Sequence, residues 1–127
     1  MDLSKFKPFD FQEGAPFLSI TNNGVTFNKS VVLKLGKPEF AQLLIDEDDK
    51  QLVIKACEQN DDGSNKFYNK NRKGTALAVR WNSKDLLATI ERITGWDLRQ
   101  SGYRVTGKYH PEDKLVLFDL EQAKALQ

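Results

Sequence analysis

The sequence is poor in the side chains that do chemistry: its 127 residues include one histidine, one cysteine and one methionine. The lone Cys57 excludes an internal disulfide and fits a reducing, cytoplasmic setting. It reads as a half-buried strand residue rather than a nucleophile. Zinc ligation needs Cys and His at repeated spacing, which one of each cannot supply. Neither a G-x-S-x-G nucleophile turn nor a phosphate-cradling glycine loop occurs. His110, ahead of Pro111, is expected at the exposed tip of a hairpin. These gaps predict a protein that is not an enzyme and uses no cofactor or metal. The acidic run Asp46–Asp49 and the NDDGSN stretch of residues 60–65 miss the alternating spacing of a calcium loop. Both read as turns, which favour Asp, Asn and Gly on conformational grounds.

Long apolar runs are missing as well. None approaches the roughly 18–20 residues that cross a bilayer, and the N-terminus has no uninterrupted apolar core of a secretory signal. No membrane partner is expected. Net charge is +1, from 19 basic and 18 acidic residues, yet the charges are unevenly placed. Acids crowd residues 46–49 and 61–62. Between Lys66 and Arg80 the chain carries Lys66, Lys70, Arg72, Lys73 and Arg80 with no acidic residue among them. Such a segment attracts an anionic partner, or else it is an edge that uses charge against aggregation.

What is there is a run of short strands with two capped helices. Residues 1–16 form an aromatic arm, with Phe6, Phe9 and Phe11, expected to pack over a core. A strand at 17–21, an Asn-Asn-Gly turn and a strand at 25–27 follow. Asn28 is suited to cap a helix over 29–35, which Gly36 and Pro38 end. Strands at 40–45 and 51–57 make a hairpin across DEDDK. Residues 58–66 read as a polar connector. A short strand at 67–69, a turn at 71–74 and a strand at 75–81 come next. Asn82 or Ser83 caps a helix in which Leu86, Leu87, Ile90 and Ile93 share one face, and Gly95 stops it. A second hairpin spans 103–109 and 115–120 across HPEDK. The tail, 121–127, is helix-prone but too short to be stable alone.

The order β-β-α-β-β therefore occurs twice, over 17–57 and 67–120. FNKS at 27–30 answers WNSK at 81–84, Gly36 answers Gly95, and DDKQLVI at 48–54 answers EDKLVLF at 112–118. One such unit is too small to bury a good core, whereas two facing copies shield each other. The expected class is α+β, with two tandem β-β-α-β-β units forming one pseudo-twofold domain of mainly antiparallel strands and two helices.

The text ITNNGVTFNKSVVLKLG (20–36) with FAQLLIDEDDKQLVIKA (40–56) resembles the AbrB/MazE-type swapped-hairpin family of bacterial DNA-binding modules. That resemblance implies a transcription-regulatory protein that contacts double-stranded DNA through its first strands and loop. The family's DNA-facing surface is rich in arginine, yet residues 18–28 here contain no basic residue; the cations stand in the second half. The expected nucleic-acid-binding residues are accordingly Lys66, Lys70, Asn71, Arg72, Lys73 and Arg80, with cations on phosphates and Tyr68 or Asn71 near sugar or base edges. The other reading is a non-catalytic adaptor or inhibitor that binds a protein through aromatics such as Phe67, Tyr68, Trp81 and Trp96. The fused pair is expected as a monomer, or as a weak homodimer joined through strand edges.

Overall fold

The computed structural model describes residues 1–7, 14–71 and 77–126. Among these residues nine strands and two α-helices follow: β1 (Phe17–Thr21), β2 (Gly24–Phe27), α1 (Lys29–Lys34), β3 (Phe40–Asp46), β4 (Gln51–Cys57), β5 (Asn65–Lys66), β6 (Val79–Trp81), α2 (Lys84–Thr94), β7 (Tyr103–His110), β8 (Leu115–Asp119) and β9 (Lys124–Ala125). A 3-10 turn, Leu120–Gln122, joins the last two strands. The class is the expected one: mainly antiparallel strands with two helices.

Local chemistry sets the element ends. The Asn28 side-chain oxygen accepts from Val31 N and so caps α1. The same amide oxygen accepts from Phe17 N, and its Nδ2 donates to the Ala15 carbonyl. Ser30, buried in α1, donates to the Gly14 carbonyl. Ser83 caps α2 by accepting from Leu86 N, and Asp85 occupies its first turn, where a negative charge suits the helix dipole. Gly95 ends α2 at φ 79°, a left-handed backbone that an L side chain adopts only with strain. Leu87 and Ile90 point α2 into the core, and the helix lies against β2.

All strand pairs are antiparallel, in the order β5-β3-β4-β8-β7-β1-β2-β6, with β9 added to β7. The two hairpins, β3–β4 and β7–β8, meet at the centre, where β4 pairs β8 through Ile54↔Val116 and Val53↔Leu117. β1 does not stay with its own half on both sides: it pairs β2 on one edge and β7 on the other, with Leu18↔Val105 and Ile20↔Tyr103. β2 in turn pairs β6, with Thr26↔Arg80 in register.

Alternation then defines an inside. Leu18, Ile20, Val25, Phe27, Leu52, Ile54, Val105, Val116 and Phe118 are fully buried, and Val31, Val32 and Ile90 from the helices close the same cluster. Burying each such side chain contributes roughly 1.5–3 kcal/mol. The sheet curls around this cluster until its two end strands approach: the Trp81 indole Nε1 of β6 donates to the Lys66 carbonyl of β5 at 3.0 Å.

Several expectations need correction. Phe6 of the arm is 65% exposed, so it does not cover the core; Phe9 and Phe11 lie outside the described residues. The strand expected at 67–69 falls at Asn65–Lys66, inside the expected connector, because β3 offers its edge to that stretch through Ala41↔Asn65 and Phe40↔Lys66. Phe67 and Tyr68 continue the pairing only by donating to the Glu39 and Pro38 carbonyls. The strand before Trp81 begins, among the described residues, at Val79. The tail is not helical beyond the 3-10 turn: Tyr103↔Ala125 and Arg104↔Lys124 recruit it as a strand, since β7 outreaches β8 and leaves a free edge. His110 closes β7 half-buried rather than standing at an exposed tip.

Candidate nucleic-acid interface

The junction of the two sheet ends is built from an aromatic cluster. Phe27 meets Phe67 edge-on at 5.4 Å and Trp81 at 5.3 Å, and Phe67 meets Trp81 at 5.8 Å. Edge-to-face geometry of this kind is favoured by the ring quadrupoles and holds rings at a fixed distance. With Trp81 and Phe67 turned inward, their strand neighbours Arg80 and Lys66 turn outward, because successive side chains on a strand face opposite ways. Both cations are exposed.

A groove of about 460 Å³ runs along this junction, and Lys66, Arg80, Asn82 and Ser83 contribute polar walls to it over a floor of Leu43, Trp81 and Leu86. A second hollow, about 550 Å³, adjoins it and is lined by Lys66, Lys70 and Asn71 together with Glu39 and Tyr68. Lys66 borders both. Of the residues expected to bind nucleic acid, Lys66, Lys70, Asn71 and Arg80 are thus brought to one junction. Arg72 and Lys73 lie outside the described residues. Tyr68 is half-buried against the core cluster. Asn69 spends its side-chain oxygen on the Asn71 amide at 2.9 Å, a turn-forming bond, while the side chain of Asn71 is exposed.

The charges here are not paired among themselves. Among the described residues the ion pairs are Arg92 with Glu47, 2.6 Å, and Arg99 with Asp97, 3.6 Å, and neither involves Lys66, Lys70 or Arg80. Glu39 is the acid that shares the second hollow. The acidic turn is built as expected for a turn: the Asp46 carboxylate accepts from the amides of Asp48 and Asp49. Asp61 does the same for Glu58 N in the second acidic stretch. Among the described residues no cluster of His, Cys, Asp and Glu is arranged to hold a metal ion. No described helix is long and apolar enough to cross a membrane.

Two cations escaped the reading of the sequence. Arg104 on β7 and Lys124 on β9 are far from residues 66–80 along the chain, yet pairing sets Arg104 opposite Ser19 of β1 and Lys124 opposite Arg104. The alternation Arg104, Val105, Thr106 marks Arg104 as outward-facing; nothing local marks it as a neighbour of β1. No family model matches the chain, no curated protein matches it, and no solved structure matches its fold.

Proposed function

We propose that the chain is a fused pseudo-dimer of swapped-hairpin type that binds double-stranded DNA through the basic junction of its second half. Any antiparallel pair contains a local half-turn. What supports the doubling is where it falls, on Val53 with Leu117 and Thr26 with Arg80, the residues that the repeats DDKQLVI/EDKLVLF and FNKS/WNSK bring into correspondence. A half-turn exchanging β4 with β8 carries Gln51↔Asp119 onto Lys55↔Leu115 and leaves Val53↔Leu117 on the axis. An exchange of β2 with β6 carries Val25↔Trp81 onto Phe27↔Val79, with Thr26↔Arg80 on the axis. The hairpin turns correspond too, each ending in a lysine of positive φ, Lys50 and Lys114.

The observation that carries the binding reading is the convergence of exposed Lys66, Lys70 and Arg80, none of them ion-paired among the described residues, on one junction with Asn71. Cations in this state release counterions when they meet phosphates, and that release drives association. Asn71 supplies a donor and an acceptor beside them, the chemistry that reads adenine in a major groove. A cytoplasmic regulator of transcription is the role that fits these properties.

Gel-shift titration of a mixed-sequence duplex at two ionic strengths tests the reading. Binding that weakens steeply with salt, and that falls about tenfold or more at low salt in Lys66→Ala/Lys70→Ala, is expected. No retardation of any duplex at low salt overturns it. A second reading, a protein-binding module, is favoured by Leu44 and Ile45, which stand 48% and 38% exposed on β3. It predicts a copurifying protein that survives nuclease treatment.

A further inference from the structure

The first two strands carry no cation of their own, but their neighbours supply one on either side. Across β9, β7, β1, β2 and β6 the paired positions Lys124↔Arg104, Arg104↔Ser19, Ser19↔Thr26 and Thr26↔Arg80 form one unbroken row. Directly opposed residues on neighbouring strands share a face. The inward partners of this row, Leu18, Val25, Val79 and Val105, are buried, so the row lies on the outer surface. Lys124, Arg104 and Arg80 are exposed, and Ser19 and Thr26 are half-exposed.

Three features mark this row as more than a solvated face. No acid interrupts it, and the adjoining outward positions Phe17, Thr21 and Thr106 add none. Lys124 stands opposite Arg104, and like charges in that position destabilise a strand pair unless an anion lies between them. The side chains are also held in place. The Arg104 guanidinium sits 4.2 Å above the Phe17 ring, a cation–π contact that restricts its motion. The Arg80 stem lies over Gly24, where a Cβ would stand 3.3 Å from its Cγ and Cδ and 2.7 Å from the Trp81 carbonyl. Lys124 is carried by β9, whose backbone is anchored where Leu126 N donates to the Gly102 carbonyl at 2.8 Å.

We infer that this cation–hydroxyl row is a duplex backbone contact: Arg104 with Lys124 at one end and Arg80 at the other bind phosphates, and Ser19 and Thr26 donate to the backbone between them. The inference rests on the DNA-binding reading and extends it onto the first half. Strand spacing puts Arg104 and Arg80 about 14 Å apart along the curved sheet, a span comparable to the ~12 Å width of a major groove. The two ends of the row therefore address phosphates on its two walls.

The test is fluorescence anisotropy with a labelled mixed-sequence duplex, and with its single strand, across a salt series. Arg104→Gln/Lys124→Gln removes both charges while keeping polar side chains on the row, and is compared with Lys66→Ala/Lys70→Ala and with Lys5→Ala/Lys37→Asn, which removes two charges that are not members of the row. Thermal melts check that each variant is folded. The row predicts a loss of about tenfold or more for Arg104→Gln/Lys124→Gln at low salt, a salt slope smaller by about two, and a small effect of the Lys5/Lys37 pair. Binding unchanged in Arg104→Gln/Lys124→Gln while Lys66→Ala/Lys70→Ala weakens overturns the row and leaves the DNA-binding reading standing. Equal losses in the row and Lys5/Lys37 variants overturn it as a net-charge effect. Tighter binding to the single strand overturns the duplex assignment, and no binding by the unaltered protein overturns both proposals.

Discussion

The two helices occupy matching places in the chain order but are held in different ways. α1 has six residues, with Ser30, Val31 and Val32 buried. It is shorter than any helix that persists on its own in water. Its order comes from Asn28, which binds the chain before β1 as well as the helix start, and from Ser30, tied to Gly14. α2 has eleven residues, a local cap, one apolar stripe and a glycine stop. Its last turn is braced by the Glu91 carboxylate, which accepts from Leu98 N at 2.9 Å. The first helix is thus a plug made by tertiary contacts, the second an element written in its own sequence. Comparable positions in a fold can be secured by opposite means, and substitutions at them should differ accordingly.

The largest expected effect concerns the core the two helices share. Phe27 touches Phe67 and Trp81, and its ring lies 6.3 Å from Phe118 of the opposite hairpin. Phe27→Ala is expected to cost about 3–5 kcal/mol, and chemical denaturation should still show one transition for both halves. Two separate transitions would break the idea of a common core. Next come the caps. Asn28→Ala removes three bonds and should cost about 2 kcal/mol, at the upper end for caps, while Ser83→Ala removes one and should cost about 1 kcal/mol. Equal costs in urea melts would erase the contrast between plug and self-sufficient helix. Gly95→Ala forces a side chain into a left-handed backbone and should cost about 1 kcal/mol, read as a lower melting temperature. Smallest is the Arg92–Glu47 pair, which links α2 to the turn of the first hairpin with both side chains more than half exposed. A double-mutant cycle should give under about 0.5 kcal/mol, falling further with added salt. A larger coupling would mean that the link between halves is electrostatic as well as apolar.

Local elements were legible in the sequence because local chemistry makes them. Asn28 and Gly95 declare helix ends by side-chain type, and the Asn82-Ser83 pair marks the start of α2, where the structure takes Ser83 as the cap. The hairpins at β3–β4 and β7–β8 declare themselves by two strands around a short polar turn. What could not be read was which strands become neighbours. The pairings β1 with β7, β2 with β6 and β4 with β8 are chosen by the fit of whole apolar faces, and period-two alternation in Leu18–Ile20 or Val105 does not name a partner. The tail shows the same gap: Lys124–Ala125 forms a strand only because β7 has an edge to spare. For the candidate site, the cluster Lys66, Lys70 and Arg80 was visible because its members are close in sequence. The place of Arg104 in the proposed row was invisible because the sheet, not the chain, puts it opposite Ser19.

The position of β1 has a consequence for how the protein comes into being. Leu18 is translated well before its partner Val105, with both helices and the first hairpin made in between. Until β7 is made, one side of the first strand has no mate and the N-terminal half cannot finish its fold. Such distant pairing slows folding and prolongs the exposure of sticky intermediates. Maturation is therefore expected to wait until β7 has been made, and a truncation just before β7 should yield aggregates rather than a folded half.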